Sequence, residues 1–78
     1  MGRAPGCLTE LVDGEKLREL RLAALMTQRE LGSAASVAPE TINRIENAGE
    51  PRRTAAITVR KLARALGVDP RELLEDYP

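Results

Sequence analysis

The 78-residue chain has no histidine and a single cysteine, Cys7, so it can neither close an internal disulfide nor assemble a Cys/His zinc site. No glycine-rich phosphate loop and no nucleophile with a base at recognisable spacing is present. The chemistry on offer is hydrogen bonding. Glu40, Asn43, Arg44 and Asn47 fall on one arc of a helix at about 100° per residue, and Ile42 and Ile45 fall on the other. A carboxylate can accept from cytosine N4, an Asn amide can pair with adenine, and a guanidinium can reach guanine or a phosphate. Together they cover the donor and acceptor code of the DNA major groove. An ordinary helical hairpin with a solvated outer face reads the same way on pattern alone, and both readings stay open.

Those residues need a scaffold, and the hydrophobic periodicity predicts one made of five helices. Helix 1 runs over Glu15 to Leu25 behind Asp13 as cap, with Leu17, Leu20 and Ala24 on its inner stripe. Thr27 and Glu30 form a capping box that starts helix 2, Gln28 to Ala35, with Leu31 and Ala35 inward. Pro39 suits the first position of helix 3, which continues to about Asn47 and is stopped by Gly49 and Pro51. A loop carrying Arg52 and Arg53 leads to helix 4, about Ala55 to Leu66, whose Val59, Leu62, Ala63 and Leu66 form an apolar stripe ended by Gly67. Asp69 and Pro70 open a short helix 5 with Leu73 and Leu74. Gly32, costly in a helix, is explained if helix 2 packs closely on helix 3.

The fold class expected is therefore an all-α, compact five-helix bundle containing a helix-turn-helix. Residues 1–13 would be a flexible N-terminal arm, with a short extended stretch at Leu11 and Val12, and residues 14–78 the domain. With Tyr77 as the only aromatic residue, the core must be aliphatic. One domain is all that this length supports. The lone cysteine suits a reducing compartment, and the charges that interrupt every apolar run argue against a membrane span, so a cytoplasmic protein is expected. Net charge is zero but unevenly spread. Residues 16–64 hold ten Lys or Arg against five acids, a net +5, while the two ends carry −5. A basic middle between acidic ends is compatible with one face turned toward a polyanion.

Four segments in order resemble the phage-repressor and Cro-like helix-turn-helix family, also called the xenobiotic-response-element type. They are Leu17-Arg18-Glu19-Leu20-Arg21, Thr27-Gln28-Arg29-Glu30-Leu31, the run from Val37 to Glu46, and the run from Lys61 to Val68. The resemblance covers residues 15 to 75. It implies a lambda-repressor-like domain in which helix 2 crosses the phosphate backbone and helix 3 reads bases. Residue by residue, it places base reading on Ala38, Pro39, Glu40, Asn43 and Arg44. Phosphate contacts fall on Thr27 and Gln28 at the start of helix 2, and on Asn47, Arg52 and Arg53. Arg21 and Glu46 match a structural ion pair tying helix 1 to helix 3. Three departures stand out: Ser36 sits where the family usually has Gly, Ala38 replaces the usual Ser or Thr cap of helix 3, and the loop after Glu46 is about two residues longer, as surface loops allow.

The function this implies is sequence-specific binding of double-stranded DNA, as a homodimer on a pseudo-palindromic operator, by a transcriptional regulator acting as a repressor. Helix 5, through Leu73 and Leu74, and the loop before helix 4 are the expected subunit contacts. The alternative is a protein-protein interaction module of the same fold, antitoxin-like or a co-regulator, which Glu40 on the outer face favours. No catalysis, cofactor, metal, membrane or small-molecule ligand is expected.

Overall fold

Residues 8–75 are described by the computed structural model. The expectations attached to Arg3, Cys7 and Tyr77 lie outside them. In chain order the elements are strand β1 (Thr9–Val12), helices α1 (Gly14–Ala23), α2 (Gln28–Ala35) and α3 (Pro39–Glu46), strand β2 (Arg52–Ala55), helix α4 (Ala56–Leu66) and a single 3-10 turn, Pro70–Leu73.

Local signals account for most of the helix ends. Asp13 accepts hydrogen bonds from the amides of Glu15 and Lys16 at 2.9 and 3.4 Å, which satisfies two otherwise orphaned donors of α1. The capping box of α2 is complete, with Thr27 Oγ1 accepting from the Glu30 amide at 3.0 Å and Glu30 Oε1 accepting from the Thr27 amide at 2.9 Å. Helix α3 starts on Pro39 with no side-chain cap from Ala38, and Gly67, in the left-handed region at φ 72°, closes α4.

The all-α, five-helix expectation needs correction on two counts: among the described residues there are four α-helices, and a two-stranded antiparallel sheet joins them. Residues 9–12, expected within a free arm, pair with residues 52–55, expected as loop, in the register Thr9 with Ala55 through Val12 with Arg52. Four-residue strands 43 positions apart are too short to show a period of two, and their pairing is a long-range event. The fifth helix shrinks to one 3-10 turn because the chain re-enters the sheet edge straight after it. Val12 and Leu74 form a bridge, Asp13 donates to the Leu73 carbonyl at 2.9 Å, and Glu75 donates to the Leu11 carbonyl at 2.9 Å. Lys16 Nζ adds a hydrogen bond to the Leu74 carbonyl at 2.9 Å.

Val12, Leu17, Leu31, Ile42, Ile45, Val59, Leu62 and Leu73 are fully buried and, with Ala35, Ala63 and Leu74, form one aliphatic core. Leu20 and Leu66 pack at its edge, whereas Ala24, expected inward, is exposed because α1 ends at Ala23. Burial of Leu73 and Leu74 inside their own domain removes them as subunit contacts. No α-helix among the described residues is long and apolar enough to cross a membrane.

Candidate nucleic-acid interface

Helix α3 is anchored by Ile42 and Ile45, which are 0% and 1% exposed. That fixes its rotation, so Ala38, Pro39, Glu40, Asn43, Arg44 and Asn47 are all exposed on the side away from the core. Among the described residues, no hydrogen bond or ion pair engages the Glu40 and Arg44 side chains, and both residues are exposed.

The approach of α2 to the turn before α3 depends on Gly32. A Cβ there would lie 2.5 Å from the Val37 carbonyl oxygen and 3.3 Å from the Pro39 nitrogen. Gly32 therefore clears space for the turn and for Pro39 at the start of α3. Ser36 occupies the left-handed region at φ 58°, where its family counterpart is usually glycine, so this departure puts an L side chain in a strained backbone conformation.

The other end of α3 is held by polar groups. Arg21 Nε donates to Glu46 Oε2 at 2.7 Å and Arg21 Nη2 to Glu46 Oε1 at 2.9 Å, a two-pronged pair whose side chains are 10% and 2% exposed. A third donor, Nη1, reaches the Met26 carbonyl at 2.9 Å, so one guanidinium joins α1, the turn into α2, and α3. The hydrogen bonds to Glu46 hold the Arg21 guanidinium protonated, outweighing the effect of burial. Gly14 lies beneath the same end, where a Cβ would meet the Ile45 carbonyl oxygen at 2.1 Å. Sequence reasoning missed Gly14; its only local signal was a glycine directly after a capping Asp.

Gln28 bridges α2 and α3. Its Nε2 donates to Glu46 Oε1 at 3.0 Å and to Asn43 Oδ1 at 3.4 Å. Asn43 Oδ1 also accepts from Asn47 Nδ2. Both side-chain donors of Gln28 are thus engaged within the domain, and the Thr27 amide is engaged in the capping box. An anion arriving at the start of α2 would meet the backbone amides of Gln28 and Arg29 first.

Arg52 and Arg53 do not form a clamp on one side. They are consecutive residues of β2, so their side chains leave opposite faces of the ribbon, and Arg53 Nη1 donates to Thr9 Oγ1 at 2.9 Å.

A short capped helix crossing behind a second helix with a buried apolar face and an exposed polar one defines a helix-turn-helix protein. The helix-turn-helix family model matches residues 17–73, and the chain belongs to the Cro/C1-type helix-turn-helix family of DNA-binding transcription regulators. The restriction-modification controller protein C.AhdI from Aeromonas hydrophila is similar in structure, with a TM-score of 0.70 and 33% identity over 78% of this chain and 89% of that one. A point mutant of hydroxyethylphosphonate dioxygenase matches at a TM-score of 0.70 and 22% identity. That match takes in 87% of this chain but 14% of the enzyme chain, so it speaks for the fold alone. No curated protein sequence matched.

Proposed function

We propose that this protein is a transcriptional repressor that binds a pseudo-palindromic operator as a homodimer, working in the cytoplasm without catalysis or cofactor. The observation that carries this reading is the division of α3 between Ile42 and Ile45, locked into the core, and an exposed arc of Ala38, Pro39, Glu40, Asn43, Arg44 and Asn47. In this reading α3 enters the major groove. The start of α2, at Thr27 and Gln28, meets the phosphate backbone through the backbone amides of Gln28 and Arg29, and Arg52 and Arg53 contact phosphates on either side of the ribbon. The likeness to a restriction-modification controller protein supports a regulatory role.

Two copies are needed because one such module buries only about 600–1,000 Å² on DNA. Paired recognition helices would then lie about 34 Å apart. With Leu73 and Leu74 inside the core, the subunit contact falls to exposed apolar residues. Leu8 and Ile57 are 54% and 46% exposed, and the Ala56 amide, one residue before Ile57, donates to the Leu8 carbonyl at 2.9 Å.

The test is iterative selection of random duplex DNA, followed by affinity measurement at two salt concentrations. An enriched inverted repeat, bound more weakly at high salt through counterion uptake and lost in Asn43→Ala, supports the reading. Failure to enrich any site transfers the role to a protein partner.

A further inference from the structure

Amide side chains have two chemically opposite ends, and which end faces outward decides what an Asn can read. A carboxylate only accepts, so the group that Gln28 turns toward Glu46 must be its Nε2. That orientation sends the second Nε2 hydrogen toward Asn43, whose facing atom must then be the acceptor Oδ1. Asn47 donates to the same oxygen. Both lone pairs of Asn43 Oδ1 are therefore engaged inside the protein, and the atom left for a ligand is Nδ2, a donor of two hydrogens.

We infer that Glu46, held in place by Arg21, is a positioning residue that sets the polarity of the reading face through Gln28, so that Asn43 reads guanine and not adenine. The inference rests on the reading of α3 as the groove-facing helix. Adenine matched in two-point fashion needs a donor and an acceptor from the Asn, and the acceptor is already used. Guanine presents two adjacent acceptors, O6 and N7, which suit a group that can only donate. The exposed surface pattern alone could not distinguish these bases. The chain of constraints starts at a side chain that is 2% exposed and never meets the DNA.

The experiment is site selection with the full chain, followed by competition at low salt between the selected operator and versions altered at one base pair. Low salt keeps weakened variants bound through phosphate contacts. The base pair read by Asn43 is the one whose preference disappears in Asn43→Ala. Wild-type protein is expected to prefer guanine over adenine there by about tenfold, within the range of one well-matched side-chain pair. Gln28→Leu cuts the link while leaving the Arg21–Glu46 pair intact, so the Asn43 and Asn47 amides can turn over together. It is expected to bring the ratio close to one, whatever overall affinity is lost along with any phosphate contact of Gln28, because the ratio compares two bases at one position in the same variant. Adenine preferred by the wild type, or a guanine preference that survives Gln28→Leu unchanged, overturns the inference while DNA reading stands. Absence of any selected site defeats the DNA reading itself.

Discussion

The two ends of α3 are held in contrasting ways. At its start there is no side-chain cap, and position is set by Pro39 and by the turn backbone lying where a Gly32 side chain would be. At its end a buried ion pair, an amide bridge from Gln28 and a backbone contact over Gly14 converge. The first end is located by shape, which tolerates small adjustments. The second is located by directional hydrogen bonds to a charge, which tolerate few.

Glu46→Ala attacks the second end and should have the largest effect. It strands the Arg21 guanidinium among groups arranged for an ion pair and is expected to cost about 3–5 kcal/mol, read by chemical denaturation. A wild-type melting temperature would remove the ion pair from this role.

Substituting the two glycines compares the ends directly. Gly14→Ala drives a Cβ to 2.1 Å from the Ile45 carbonyl oxygen and should cost about 3 kcal/mol, at the upper end for overpacking. Gly32→Ala meets the Val37 carbonyl oxygen at 2.5 Å and regains helix propensity worth about 1 kcal/mol, so its net cost should be nearer 1 kcal/mol. Equal losses in paired denaturation curves would erase the distinction between the ends.

Other changes should raise stability. Ala38→Ser supplies the missing cap of α3 and is expected to add about 1 kcal/mol. Leu25, 90% exposed at φ 60°, spends its backbone in a region that L side chains avoid; Leu25→Gly should add up to about 1 kcal/mol, since relief of strain is partly offset by chain entropy. Thermal melts would show both.

The smallest expected effect lies at the 3-10 turn, Pro70–Leu73. Hydrogen bonds from the Arg71 side chain and backbone hold the Asp69 carboxyl at about 2, below its ordinary 3.8. A carboxylate whose pKa falls on folding stabilises fully above the unfolded value and loses that contribution as pH drops through the folded one. Asp69 should therefore help at pH 5 and cease to help by about pH 2. Asp69→Asn should match the wild type more closely at pH 2 than at pH 5 in denaturation curves.

The parts of this protein legible in its sequence are those whose causes are local. Thr27 and Glu30 lie three residues apart and cap each other whatever else the chain does. Pro39 starts a helix through its own ring, and Ile42 and Ile45 declare a buried face by spacing alone. The pairing of Arg21 with Glu46, 25 residues away, was visible only through resemblance to a family, because no local rule links the two positions.

What the tertiary structure decided involves distance along the chain or direction in space. The ribbon joins residues 40 to 46 apart and turns an expected arm and an expected loop into strands, because four residues on each side acquire order only from each other. It also separates Arg52 from Arg53, neighbours in sequence that a strand sends to opposite faces. Which atoms of the exposed α3 arc point outward is fixed more remotely still. The sequence by itself determined that Asn43 is an exposed amide on a polar arc. Only the packing of α1, α2 and α3 around Arg21 and Glu46 determined which end of that amide is left to bind, because a hydrogen bond has a direction and a residue type does not.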